Sequence, residues 1–249
     1  MICVAIQLED HHGDGAVPDS VRAEEARIRA VYEKREDGTR YSLFQPGALF
    51  IVQQIERRIL TLLRRCGFAD LESKKILEVG CGTGYWLREF VNWGARPENV
   101  TGIDLLMDRL SQARRLCPPA VRIQCSSAAE LPFSDESFDL VLQSTVFTSI
   151  LDARMKQQVA SEMLRVVRSD GLILWYDYHV NNPWNPDVQG VKKREISHLF
   201  PECRIDLRRI TLAPPLARWI APRSWLLAGL LEKIPLLCTH YSGVIRKPK

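Results

Sequence analysis

The sequence predicts an α/β fold: a seven-stranded, mostly parallel sheet with helices on both faces. Three observations carry this. Short apolar runs alternate with helix-period stretches between residues 74 and 178. Glycines at alternate positions stand where the first of those strands hands over to a helix, and two later strand patterns, 205–212 and 239–246, follow to close the sheet. Strands separated by helices need crossover connections, which give a parallel sheet covered on both sides.

The elements follow in order. Val21, Ile28 and Val31 sit among charges, suggesting a surface helix over 21–36. After the turn-like "EDGTRYSLFQPG", residues Leu49, Val52, Ile55, Ile59, Leu62 and Leu63 recur at helical spacing over 48–66. "KKILEVG" reads as a strand, "YWLREFVNWG" as a helix, "NVTGIDL" as a strand and "MDRLSQARRLC" as a helix. "VRIQCSS" and, after a loop, "SFDLVLQS" are strands; "DARMKQQVASEMLRVV" is a helix and "GLILWYDY" a fifth strand. Beyond these lie the loop "NNPWNPDVQG", a short helix "KKREISHLF", the strand "CRIDLRRITL", helices within 215–234 and a last strand "THYSGVIRK".

At 249 residues, with 46% hydrophobic and 26% charged residues, the chain has the composition of one globular domain, which excludes disordered and fibrous classes. The net charge of +4 is spread over short clusters such as Arg57 and Arg58 or Arg208 and Arg209; these read as solvated faces, and no nucleic-acid partner is expected. Seven cysteines without a C-x-x-C pair suggest reduced thiols, a cytoplasmic location and no metal site. The start "MICVAIQLEDHH" turns acidic within ten residues, so no secretory signal is expected, and no apolar run reaches a membrane span.

The stretch "ILEVGCGTGYWLREF" holds the sharpest signal. Gly80, Gly82 and Gly84 let the backbone turn tightly and let a ligand approach where a Cβ would intrude. The spacing is G-x-G-x-G and not the G-x-G-x-x-G of dinucleotide sites, and Glu78 stands two residues before the first glycine. A carboxylate there would repel a diphosphate and favour a cation, so a phosphate-free cationic nucleoside fits better.

In these residues the chain resembles the class I S-adenosylmethionine-dependent methyltransferases, strongly over 70–180 and weakly elsewhere. The resemblance implies a Rossmann-like sheet whose last strand is antiparallel, and S-adenosylmethionine as cofactor, leaving as S-adenosylhomocysteine. It implies cofactor contacts from Glu78, Gly80, Cys81, Gly82 and Gly84. Asp104, closing the second strand in "VTGIDLLMDRL", is the acceptor for the ribose hydroxyls or a cap of the next helix, and Leu105 is the platform for adenine. "SSAAELPFSDESFDLVLQS" is similar to a third family segment, but Ser127 stands where the family often has an Asp that accepts from the adenine amino group; the Ala128 amide can still serve the ring. Gln143 ends the fourth strand, where the family contacts the methionyl part.

Acceptor groups gather at the C-terminal ends of parallel strands. His179 is a candidate general base with Asp177 as its orienter, against the reading of a structural histidine. Tyr41, Phe44 and Phe147 are candidate acceptor contacts, Tyr41 and Phe44 as a lid or as plain packing. The segment 215–234 mixes tryptophans and leucines with basic residues and reads either as a membrane or lipid contact or as a packed cap on the sheet. The organisation expected is a flexible leader at 1–20 and one domain at 21–249, with a helical lid (21–70), a cofactor core (71–180) and acceptor-side elements (181–249). The expected activity is methyl transfer to a small molecule, most simply to an oxygen of a natural product, sugar or lipid-linked acceptor. A non-catalytic nucleoside-binding protein is the alternative, and a nicotinamide oxidoreductase a weaker one.

Overall fold

The computed structural model describes residues 18–34, 42–182 and 185–248; Tyr41 and the leader up to residue 17 lie outside them. The first helix, α1 (Asp19–Glu33), starts inside the stretch expected as leader. Helix α2 (Pro46–Arg65) begins with Pro46, whose missing N–H costs nothing in a first turn.

The alternating segment then gives β1 (Ile76–Val79), α3 (Tyr85–Asn92), β2 (Val100–Asp104), α4 (Met107–Leu116), β3 (Arg122–Cys125), β4 (Phe138–Ser144), α5 (Ala153–Val166) and β5 (Val167–Tyr178). After α6 (Lys193–Leu199) and β6 (Arg204–Leu212) come α7 (Pro214–Ile220), α8 (Trp225–Leu231) and β7 (Cys238–Arg246). The strand order is β3-β2-β1-β4-β5-β7-β6. All pairs are parallel except those of β7, which runs antiparallel to both β5 and β6. The expected sheet, including the reversed last strand, is the one observed.

Strand alternation sorts the core into two layers. Leu140, Leu142, Leu172 and Leu174 pack with α2, α3 and α4 on one face, while Val141, Ile173 and Trp175 pack with α5, α6 and α1 on the other. A third, smaller cluster joins Phe50 of α2 and Leu212 of β6 to the alanines of α7 and α8. No helix crosses over between β3 and β4; residues 126–137 make the link as a loop.

The end of β5 fixes the loop after β4. Asp177 is fully buried and accepts hydrogen bonds from the amides of Thr148 (3.2 Å) and Tyr178 (2.9 Å), tying the single 3-10 turn Phe147–Ser149 to β5. Phe147 in that turn packs on Trp175, 4.8 Å between ring centroids, and on Phe200 at 6.4 Å. Burial pushes the Asp177 carboxyl up to about 7, against the pull of the Thr148, Tyr178 and Phe147 amides and the charge of Lys156.

This shift sets a pH dependence. The unfolded chain releases the Asp177 proton near pH 4, whereas the folded chain keeps it to about pH 7, so folded stability falls with rising pH across that window and levels off above it. Asp177→Asn carries no such proton. Denaturant midpoints taken at pH 5 and pH 8 are therefore expected to drop more for the wild type than for Asp177→Asn; equal drops would remove the linkage.

Candidate functional site

The glycine turn is built as its residues demand, with different reasons at different positions. Gly80, Gly82 and Gly84 have φ of 72°, 52° and 75°, a region side chains rarely adopt. A Cβ on Gly80 would meet Val146 Cγ2 at 2.5 Å and one on Gly84 would meet Cys117 Sγ at 2.6 Å, so the room at these two is used by the protein itself. Around Gly82 the nearest atom is Arg109 Nη1 at 3.7 Å, which leaves its face open for a ligand. Cys81 turns inward: its amide donates to the Ile103 carbonyl (2.8 Å), and its buried side chain lies where a Cβ on Gly102 would be, 2.9 Å away. Gly102 is thus a fourth required glycine, which the motif spacing did not reveal.

Asp104 joins the two turns of the site. Its Oδ2 accepts from the Gly82 amide (2.8 Å) and its Oδ1 from the Leu106 amide (2.9 Å), so it braces the turn ahead of α4 without being the cap of that helix. Each oxygen keeps lone-pair capacity for a ligand hydroxyl. Glu78 does not share this opening. It is buried beneath the turn, facing α3 with Ile76; burial first, and the Asp104 charge second, raise its pKa well above the carboxylate range, and its Oε2 has no partner. The Glu78 carboxyl thus lies under the turn, in surroundings that disfavour its charge, and does not line the cavity where a cation would bind.

A cavity of about 120 Å³ lies at the C-terminal ends of β1, β2 and β4. Gly80, Asp104, Leu105, Ala128 and Thr145 line it, so five features of the sequence motifs and strand ends meet there. Thr145 follows β4 with φ 59°, a strained conformation for a β-branched residue, and its amide is held by the Tyr176 carbonyl at 2.8 Å.

Other expected contacts are elsewhere. Gln143 is fully buried and folds back so that its Oε1 accepts from the Val146 amide (3.2 Å). Phe147 belongs to the aromatic core described above, and Phe44 is 97% exposed ahead of α2. His179 is buried with its Nε2 3.0 Å from the Cys238 carbonyl and its ring tilted against that of Tyr241, 4.6 Å between centroids. Burial lowers its pKa, Asp177 bonds to backbone amides and not to it, and neither residue lines the cavity. The paired base and orienter are thus absent from the cleft as it stands.

What closes the cleft is α1, whose role the sequence reading had placed only loosely in a lid. Ile28 and Tyr32 form one wall of the cavity, opposite Leu105 and Ile150. Glu24 accepts from the amides of Leu151 and Asp152 and pairs with Arg27 (2.8 Å), which in turn donates to the Ser149 carbonyl (2.6 Å). Burial would raise the Glu24 carboxyl, but Arg27 and those amides hold it below its ordinary value. Arg29 donates to the Leu105 carbonyl, and Tyr32 bonds Ser149 Oγ (3.0 Å) with the Arg109 guanidinium over its ring at 4.5 Å. Ser127 donates to Glu25 and accepts from the Ala129 amide (3.0 Å). One signal was available: Val21, Glu24 and Ile28 share a helix face, so an acid lay within the apolar stripe. Among the described residues no group of three or more His, Cys, Asp or Glu is placed to hold a metal, and no helix is long and apolar enough to cross a membrane.

Comparison with known proteins agrees with this geometry. Residues 76–171 match the model of a methyltransferase domain. The chain is 32% identical over 138 residues to phthiotriol/phenolphthiotriol dimycocerosates methyltransferase 1 of Mycobacterium ulcerans, covering 54% of this chain and 49% of that protein. It is 39% identical over 114 residues to fatty-acid O-methyltransferase of Mycolicibacterium smegmatis, covering 44% and 39%. The aligned part thus spans about half the length of these relatives, or less. Phosphoethanolamine N-methyltransferase 1 of Haemonchus contortus, solved with phosphoethanolamine and S-adenosylhomocysteine, shares the fold with a TM-score of 0.63 at 13% identity, over 92% of this chain and 50% of that one. Residues 76–171 thus match a methyltransferase domain, and strand order and glycine turn support the class I S-adenosylmethionine-dependent methyltransferase family for this part of the chain.

Proposed function

We propose that the chain transfers a methyl group from S-adenosylmethionine to an oxygen of an apolar, lipid-type small molecule. The observation that carries this reading is the cavity between Gly80, Asp104 and Thr145, at the sheet edge where such ligands bind in open α/β folds.

The residues present fit the cofactor. Asp104 has acceptor capacity left for two ribose hydroxyls, the open face of Gly82 admits a ligand against the backbone, and Ile103, Leu105 and Ala128 offer an apolar bed for a purine. Ser127 lacks the carboxylate for an adenine amino group, but Glu25 of α1 brings one to the same spot. The bound cofactor would supply an electrophilic methyl on a sulfonium. The protein's part is to orient donor and acceptor and exclude water, which α1 does by forming a wall of the cleft. The cavity volume of about 120 Å³ is below the ~300 Å³ typical of small-molecule pockets, so α1 must swing outward for the nucleoside to enter.

Two facts favour an apolar oxygen acceptor. The two relatives named above are, by name, a methyltransferase of lipid dimycocerosates and a fatty-acid O-methyltransferase. A carboxylate oxygen attacks without losing a proton, which suits a cavity lined by no histidine among the described residues. The second reading, a nucleoside-binding protein without transfer, is favoured by the tight hold of α1 on the cleft. The methyltransferase domain match leaves the nicotinamide alternative without support.

Titration calorimetry with S-adenosylhomocysteine is expected to show binding that Asp104→Ala weakens by about tenfold to a hundredfold, as loss of charge-assisted hydrogen bonds implies. Glu25→Ala is expected to weaken it several-fold; unchanged binding in Asp104→Ala would sink the cofactor reading. In a transfer assay with methyl-labelled S-adenosylmethionine, long-chain fatty acids and hydroxylated lipids are expected to carry label into the organic phase. Intact cofactor binding with no label in any acceptor of this class would favour the second reading.

A further inference from the structure

The segment between β6 and β7 leaves much of its apolar bulk outside. Its inner side holds Ala217, Ala221, Ala228 and Ile220, buried against Phe50 and Leu212, with Leu216, Leu231 and Leu237 partly buried beside them. Other large apolar residues face outward: Leu226 is 76% exposed, Leu230 51%, Trp219 63% and Leu236 85%. In α8, residues 226, 227 and 230 fan over about 100° of the helix, with buried Ala228 on the far side. A helix serving only the core would bury its leucines and expose its alanines.

The outward face continues onto a neighbouring loop. The backbone of Arg218 in α7 lies within 2.6 Å of where a Cβ on Gly47 would sit, so the start of α2 is pressed on α7, and Phe44, 97% exposed, stands three residues before that contact. Leu43 beside it is also exposed.

Charge selects the partner. Residues 213–237 hold Arg218, Arg223 and Lys233 against a single acid, Glu232. Burial raises the Glu232 carboxyl, and Arg57 of α2 lies close enough to act on it. Arg223 is exposed and its guanidinium sits 5.2 Å from the Trp219 ring centroid. A second copy of the chain on the same two-fold patch would set these cations against one another. An anionic lipid surface complements both the apolar fan and its basic flank, and seven-residue helices such as α7 and α8 suit lying in an interface and not crossing it.

Topology places this face at the reaction edge. Leu212 ends β6 opposite Cys238, which starts β7, and Tyr178 at the end of β5 pairs with His240 of β7. The insertion therefore rises from the edge that carries Gly80, Asp104 and Thr145. We propose that α7, α8 and the Phe44 loop form a monotopic docking face that seats the protein on an anionic membrane surface, with the cleft edge toward the lipid. The proposal stands apart from the identity of the acceptor.

The test is co-sedimentation of the full chain with vesicles of phosphatidylcholine and phosphatidylglycerol, against phosphatidylcholine alone, at low and high salt. Binding is expected to the anionic vesicles, to weaken with salt, and to shift the tryptophan emission to shorter wavelength. The double variant Leu226→Ser with Leu230→Ser is expected to lose about tenfold or more in vesicle affinity, as two buried side chains imply. Arg223→Glu is expected to lose about fivefold or more on anionic vesicles only. Unfolding midpoint and S-adenosylhomocysteine binding, unchanged in these variants, certify the fold. Failure of the wild type to bind anionic vesicles overturns the proposal. So does a wild-type dimer by light scattering that the leucine variants dissolve, because the occupant would then be a second copy.

Discussion

The site depends on one carboxylate. Asp104 accepts one amide from the glycine turn and one from the turn into α4, and so holds together two loops that leave neighbouring parallel strands. Each loop alone has left-handed or irregular backbone that its own residues do not fix. A partly buried anion receiving two N–H groups fixes both at once, and charge-assisted bonds of this kind are roughly twice as strong as neutral ones. The cost of gathering negative charge appears next door. At Glu78, two residues before Gly80, burial first and the Asp104 charge second push the carboxyl pKa up and so disfavour its ionised form.

How much of this was legible follows from the range of the interactions. Gly80, Gly82, Gly84 and Asp104 were found because a tight turn and a strand-end acid are local demands, written within a few residues of one another. Glu78 was placed toward the ligand by its charge, although the two-residue period of a strand already put it on the face of Ile76, toward α3. The same period sets Gln143 with Val141 and His179 with Trp175 and Asp177, on faces that adjoin the core. The contacts of the expected lid escaped for another reason. Glu24 reaches Leu151, Arg29 reaches Leu105 and Glu25 reaches Ser127, pairs separated by 127, 76 and 102 positions. Nothing in the periodicity of a charged helix says which strand ends its side chains will meet.

The insertion shows the opposite case. Its composition was plain in the sequence, but composition cannot tell a buried leucine from an exposed one, and both readings of 215–234 stayed open. Orientation separates them: Ala217, Ala221, Ala228 and Ile220 go inward onto Phe50 and Leu212, while Trp219, Leu226, Leu230 and Leu236 stay outside. The consequence is an exposed apolar surface of the kind that marks interaction sites, which is the face the docking proposal uses.

Strained backbone in the two regions meets at a single residue, Tyr176. Thr145 beside the cleft and Thr211 just before the insertion both have positive φ, 59° and 67°, which costs on the order of 1–3 kcal/mol for a β-branched residue. Tyr176 holds both. Its carbonyl accepts the Thr145 amide at 2.8 Å, and its hydroxyl lies 3.1 Å from Thr211 Oγ1. The ring that reaches Thr211 is itself buried and stacked on His240 at 4.6 Å, and burial pushes the His240 imidazole down to about 3. Thr211 lies one residue before Leu212, the last paired residue of β6, after which the chain enters α7. The geometry of the loop that lines the cavity and the departure of the helices that form the outer apolar face thus rest on the same tyrosine, so the two surfaces are held in fixed relation by the sheet edge between them.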